Sequence, residues 1–199
     1  MRARNFCEQL PEGYREAYHI NAKATKTGII LSVGSLIMAL AVILPCLLTT
    51  DDILDESMVF NLIALLVCCA IIIAYIIAHE LVHGAAYKLL TGRKLTFGIT
   101  LTVAFCGVPD IYVSRRTALI SLLAPFTVFS LLFSALAAGL YFVNHTYYAV
   151  IILVLGIHFG GCIGDLYLTL LLLFKYKNKH LLMRDTGPEQ FIYYPSEEK

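Results

Sequence analysis

Charge is scarce in this chain, and the places where it is missing say more than the amount. Of 199 residues only 15% are Asp, Glu, Lys or Arg, against 59% hydrophobic. That balance excludes an ordinary soluble domain and reads as a membrane protein. A net charge of +1 leaves no basic field for nucleic acid and no bias toward an acidic partner. The six cysteines (Cys7, Cys46, Cys68, Cys69, Cys106 and Cys162) form no CxxC pair and no disulfide spacing, so they read as small apolar residues with reduced thiols. There is no internal repeat and no low-complexity tract. Nor is there a cleavable signal: the first apolar run follows a long polar leader and is too extended for a signal core, so it reads as a retained anchor.

Four apolar runs remain, each long enough for the roughly 20 residues a bilayer requires: Gly28–Leu48, Met58–Leu90, Thr117–Val143 and Tyr147–Phe174. The link between the first two carries Asp51, Asp52, Asp55 and Glu56 and no Lys or Arg; the short link at Asn144-His145-Thr146 carries none either. That triplet matches a glycosylation acceptor but lies too close to the bilayer to serve as one. Every basic residue falls elsewhere. Arg2, Arg4, Arg15, Lys23 and Lys26 precede the first run, and Lys88 at the end of the second run joins it to the third with Arg93, Lys94, Arg115 and Arg116. Lys175, Lys177, Lys179, Arg184 and Lys199 follow the fourth. The positive-inside tendency puts both termini and the middle loop in the cytoplasm of a multi-pass cell-membrane protein.

The leader to Lys26 is mixed and amphipathic and reads as a segment on the cytoplasmic surface. The second run is too long for a simple crossing at about 1.5 Å per residue, so its last third must tilt or enter a protein-lined region, ending at Thr91-Gly92. From Lys94 to Val113 the period changes to two: Leu95, Phe97, Ile99, Leu101, Val103 and Phe105 alternate with smaller or polar residues. Gly107-Val108-Pro109-Asp110 punctuates the segment, and Ile111-Tyr112-Val113 reads as a return strand. The tail is cytoplasmic, with a turn at Gly187-Pro188 and a strand-like Phe191–Tyr194. The fold expected is a single all-α membrane domain over residues 1–199: four transmembrane helices, with a small β-hairpin insert between the second and third on the cytoplasmic side.

The chemistry concentrates in His79-Glu80-Leu81-Val82-His83, inside the second run. On a helix, residues four apart share a face, so both imidazoles can grip one zinc ion. Glu80 is then placed to act as the general base. A catalytic zinc takes three protein donors, and at membrane depth the candidates for the third are Asp110, His158 and Asp165. Asp165 lies ten residues before Lys175, and His79 nine before Lys88. At equal helical rise the two side chains reach one level on helices entering from the same side. The alternative for Asp165 is an ion pair with a basic residue or a protonated, hydrogen-bonded acid. His158, two turns earlier, reads as a supporting or substrate-orienting residue and as the substitute ligand. Asp110 reads as a turn residue.

HExxH ending an apolar helix, a strand-like insert and then Gly164-Asp165 in a later apolar helix resembles the site-2 type of intramembrane metalloprotease. More closely, the chain resembles a zincin peptidase family of bacterial multi-pass membrane proteins. Leu10-Pro11-Glu12-Gly13-Tyr14, His79–His83, Ala124-Pro125, Gly164-Asp165 and the tail from Arg184-Asp185-Thr186 to Phe191-Ile192-Tyr193-Tyr194-Pro195 carry that likeness over nearly the whole length. The chain departs from site-2 proteases in three ways. Leu166 follows Asp165 where they have glycine, there is no PDZ-like insert, and Ala124-Pro125 stands where they have Gly-Pro with a later Asn. The resemblance implies a zinc metallopeptidase with a membrane or membrane-proximal peptide as substrate; in it His79, His83 and Asp165 are read as ligands, Glu80 as the catalytic base and His158 as a catalytic group that helps stabilise the developing oxyanion. Its rivals are a non-catalytic, zinc-stabilised membrane adaptor and a small ion conduit, the latter disfavoured by the absence of a repeat.

Overall fold

The computed structural model describes residues 5–22, 24–51, 53–54, 57–100 and 104–196. Leu101 and Val103 of the alternating segment lie outside the described residues, as do the charged Arg2, Arg4, Lys23, Asp52, Asp55, Glu56 and Lys199. In chain order the elements are β1 (Phe6–Cys7), β2 (Tyr14–Asn21), α1 (Thr25–Leu48), α2 (Met58–Thr91), β3 (Thr96–Ile99), β4 (Ala104–Gly107) and β5 (Tyr112–Ser114). They continue with α3 (Arg115–Tyr141), α4 (His145–Gly161), α5 (Ile163–Leu170), a π-helical turn (Leu171–Lys175), β6 (Leu182–Asp185) and β7 (Glu189–Pro195).

Helix starts are marked by side chains that accept otherwise orphaned N–H groups. Ser57 Oγ accepts from Phe60 N at 3.3 Å, Ser114 Oγ from Thr117 N at 3.3 Å and Asn144 Oδ1 from Tyr147 N at 3.0 Å. The acceptor-like triplet at Asn144 is therefore a helix cap, and its Thr146 hydroxyl donates to the Ile53 carbonyl at 2.7 Å. At the far end of α2, Gly92 sits at φ +68° and its N–H bonds the Lys88 carbonyl at 2.8 Å. This left-handed stop is one glycine adopts without strain.

Helices α1, α2 and α3 are each long and apolar enough to cross a bilayer, while α4 and α5 qualify only together. The run expected over Tyr147–Phe174 is thus interrupted at Cys162, whose ψ is 0°. The adjacent Gly160-Gly161 pair, poor in helix propensity, explains the break. No residue of α1 is buried, and Ile29, Ile30, Leu36 and Ile37 are all more than half exposed. Such a helix is stable where its solvent is lipid. With 34 residues, α2 is about 50 Å long, well beyond a hydrocarbon core of about 30 Å.

The described chain forms two compact units. One comprises Leu31–Ala78 and Phe126–Gly164 and is built of helical segments. In it Gly156 and Gly160, one turn apart on α4, face α1. A Cβ on Gly156 would collide with Ile43, and one on Gly160 would sit 2.7 Å from the Ser35 carbonyl. Small residues four apart let apolar helices touch backbone to backbone, where no hydrophobic effect drives them together.

The other unit comprises Met1–Ile30, His79–Pro125 and Asp165–Lys199, and it corrects the all-α expectation. It contains an antiparallel five-stranded sheet of order β1-β5-β6-β7-β2 beside the two-stranded β3–β4. The leader read as a surface segment supplies β1 and β2, with Tyr14 opposite Pro195. The hairpin forms between β3 and β4, but Ile111-Tyr112-Val113 is not its return strand. Tyr112–Ser114 joins the larger sheet between β1 and β6. The Val108 N–H donates to the Asp185 carbonyl at 2.9 Å, which ties the segment leaving β4 to the tail. Val113, Met183 and Ile192 stand in register and are wholly buried, forming the centre of this unit's core.

Asp185 lies two residues past Met183 on the same inward face of β6 and is only 4% exposed. A carboxylate there needs partners. Oδ2 accepts from the Tyr87 hydroxyl at 2.7 Å, and Oδ1 from Gly187 N at 2.9 Å and more distantly from Gln190 Nε2 at 3.5 Å. Burial still prevails over these bonds and raises its pKa from 3.8 to about 6.

Two outcomes are expected. Gly160→Val should lower stability by about 1–3 kcal/mol through overpacking against α1. Gly139→Ala, in α3 with open space at its Cβ, should be neutral or raise it by up to about 1 kcal/mol; thermal unfolding in detergent checks both. For Asp185 the folded state holds the proton more tightly than the unfolded chain. Its contribution is therefore complete below about pH 4 and lost as pH rises through about 6, a change on the order of 2–3 kcal/mol. Denaturation of chelator-treated protein from pH 4 to 7 should show that decline, flattened in Asp185→Asn.

Candidate metal centre

His79, Glu80 and His83 lie in the last third of α2, where the helix presents residues 79, 83 and 87 on one face. His79 and His83 are 7% and 8% exposed. Asp165, in the first turn of α5, brings Oδ2 to 3.4 Å from His79 Nε2 and 3.3 Å from His83 Nε2. Among the described residues, these two histidines are the basic side chains within 4.0 Å of Asp165, and no Lys or Arg pairs with it.

The protons explain what such an arrangement is for. His83 Nδ1 lies 2.8 Å from the Ser121 carbonyl oxygen, which can only accept. Nδ1 therefore carries the hydrogen, and in the neutral ring Nε2 is left as a bare lone pair aimed at a carboxylate oxygen. A nitrogen facing a carboxylate oxygen at 3.3 Å is satisfied by positive charge between them, either a proton on the ring that makes an ion pair or a divalent ion. A backbone carbonyl orienting a metal-binding imidazole is a common support for a zinc ligand. The three donor atoms lie within 4.8 Å of one another. In a tetrahedral zinc site with bonds of about 2.0–2.1 Å, neighbouring donors stand about 3.3–3.4 Å apart. The separations of Asp165 Oδ2 from the two Nε2 atoms match that edge length, and the His₂Asp set suits zinc chemically.

Glu80 is part-buried and within electrostatic reach of both imidazoles and of Asp165. One turn on, Gly84 lets β3 approach: a Cβ there would sit 2.7 Å from Phe97 Cζ. The insert thus packs on the helix immediately after His83, on the Glu80 side. Asp165 is steadied through its own helix. Tyr167 OH and Tyr18 OH of β2 share a 2.7 Å hydrogen bond. Beyond α5 the π-turn frees the Leu172 carbonyl, which accepts from Arg115 Nε at 2.9 Å.

His158 belongs to the helical unit and is fully buried. Its Nδ1 lies 2.9 Å from Tyr75 OH and its Nε2 3.0 Å from Ser130 Oγ, with the rings of Phe126, Phe129 and Phe133 around it. Asp110 is an exposed turn residue. Sequence reasoning missed the Ser121 carbonyl, a backbone group that leaves no trace in residue identity. It also missed Tyr87, although four residues beyond His83 on the same face is a spacing that could have raised it.

No curated protein and no solved structure matches the chain. A family model described as "Putative zincin peptidase" matches residues 71–181, a stretch that takes in the HExxH helix, the β3–β4 insert, α3 and Asp165. As the match covers more than half of the 199 residues, the chain belongs to that family of zincin peptidases.

Proposed function

We propose that this protein is a zinc-dependent, membrane-embedded peptidase that hydrolyses membrane or membrane-proximal peptides near the cytoplasmic face. The observation that carries the reading is the single carboxylate oxygen of Asp165 set 3.4 and 3.3 Å from two buried Nε2 atoms. His79, His83 and Asp165 would hold the zinc, which would supply Lewis acidity toward a water molecule and a peptide carbonyl. Glu80, one residue from His79, accepts the proton from the attacking water and hands it to the leaving amine. Ser121 holds the His83 tautomer that donation to a metal requires. His158 has both ring nitrogens met, by Tyr75 and Ser130, and takes no proton-transfer role in this reading.

The substrate side rests on β3. Among the described residues this strand pairs only with β4, and it exposes Phe97 and Ile99 at 48% and 75%. An extended peptide added to that edge satisfies its backbone groups while it is unwound. The distribution of Lys and Arg supports a multi-pass topology with both termini and the insert on the cytoplasmic side.

Purified protein should carry about one zinc per chain, measured by mass spectrometry of the metal. His79→Ala and Asp165→Ala should lose it; full occupancy surviving either change removes the ligand assignment. Glu80→Gln should keep the metal yet slow cleavage of membrane peptides in proteoliposomes by about 10²–10⁴-fold. Undiminished cleavage in that variant removes the mechanism, and tight zinc with no hydrolysis by the wild type moves the protein to the adaptor class.

A further inference from the structure

The donor set comes from two separate helices, so its geometry depends on what holds α2 and α5 in register. Each helix has a polar tie to the five-stranded sheet. Tyr167 of α5 bonds Tyr18 of β2 at 2.7 Å, close to the surface. Tyr87 of α2 bonds Asp185 of β6 at 2.7 Å in the interior, where the two residues are 1% and 4% exposed. Tyr87 follows His83 by four residues and His79 by eight, so its side chain leaves α2 on the face that carries both imidazoles. A rigid aromatic ring ending in one directed hydrogen bond limits roll of the helix about its axis, and roll is the motion that would swing both Nε2 atoms away from Asp165.

Asp185 is itself held from three directions. Its carbonyl accepts from Val108 N at 2.9 Å at the exit of the β3–β4 insert. Its Oδ1 accepts from Gly187 N of the β6–β7 turn at 2.9 Å and, at 3.5 Å, from Gln190 Nε2 of β7. Gly187, at φ +98°, packs against the Phe105 ring of β4. The remaining oxygen, Oδ2, is the one given to Tyr87. Most of the carboxylate's other bonds close its own hairpin, whereas this one reaches across to the helix of the metal centre.

We infer that Asp185 is a positioning residue of the metal centre, acting through Tyr87 to fix the rotation of the HExxH helix against Asp165. The assignment deepens the zinc reading above and rests on it. The C-terminal hairpin is accordingly part of the working site, although it contributes no ligand.

The test uses the full-length protein in detergent with cobalt(II) as the spectroscopic probe. Visible absorption reports donor geometry, and titration reports affinity, well below the unfolding temperature. Tyr87→Phe removes one hydroxyl and leaves the Gly187 and Gln190 bonds of the hairpin in place. It should bind cobalt about ten-fold more weakly, the lower end of the range for groups that support metal ligands, with a shifted spectrum. Asp185→Asn can turn its oxygen to Gly187 N and its amide to the Tyr87 oxygen, so it should stay within about three-fold of wild type. Asp185→Ala should resemble Tyr87→Phe or be weaker still. A Tyr87→Phe protein with wild-type affinity and spectrum overturns the assignment, even if its melting temperature falls, because that is what a purely structural contact would give. A wild type that takes up no cobalt overturns the metal centre itself and this assignment with it.

Discussion

A carboxylate oxygen facing two imidazole nitrogens is the constraint on which this structure turns. Asp165 Oδ2 and His83 Nε2 face each other at 3.3 Å, an approach made favourable by positive charge between them, a proton or a divalent ion, in largely buried surroundings. The Ser121 carbonyl engages Nδ1 and so leaves Nε2 as the nitrogen turned to the carboxylate. The two separations from Asp165 equal a zinc coordination edge, so a divalent ion would fit between these donors. The burial of His79 and His83, the close seat of β3 over Gly84 and the two tyrosine ties all act to keep those few atoms where they are.

Different physics shapes the two units. The helical unit has little to gain from hiding apolar side chains, since lipid is as apolar as they are; it relies on small residues at close contacts and on polar links such as Tyr75–His158–Ser130. The sheet-bearing unit has an ordinary buried core around Val113, Met183 and Ile192. It also admits one carboxylate, Asp185, at a cost offset by the hydrogen bonds it collects. The length of α2 is explained by its composition: its first two thirds form an apolar stretch, and its last third carries the histidines, Glu80 and Tyr87.

Much of this was legible in the chain. The apolar runs, the stop at Gly92 and the shared face of His79 and His83 follow from periodicities of 3.6 and 2 and from glycine's freedom at positive φ. Counting residues to Lys88 and Lys175 put Asp165 at the level of His79, and the structure has their side chains 3.4 Å apart. The β3–β4 insert was visible as alternation, but its partner was misjudged: Ile111-Tyr112-Val113 looks like a return strand because it is near in sequence and apolar. The break at Cys162 was foreshadowed by Gly160-Gly161, yet a hydropathy average runs straight across it.

What the sequence by itself determined is local chemistry: which segments suit lipid, where helices begin and end, and that two imidazoles share one helix face while a carboxylate lies at a similar depth along another helix. What only the tertiary structure decided is pairing at a distance. Tyr14 meets Pro195, Tyr87 meets Asp185, and a main-chain oxygen at Ser121 chooses the tautomer of His83. Strand partners and backbone acceptors are set by how the whole chain closes on itself, and backbone groups are identical at every position, so the identity of a residue carries no record of which partner it will meet.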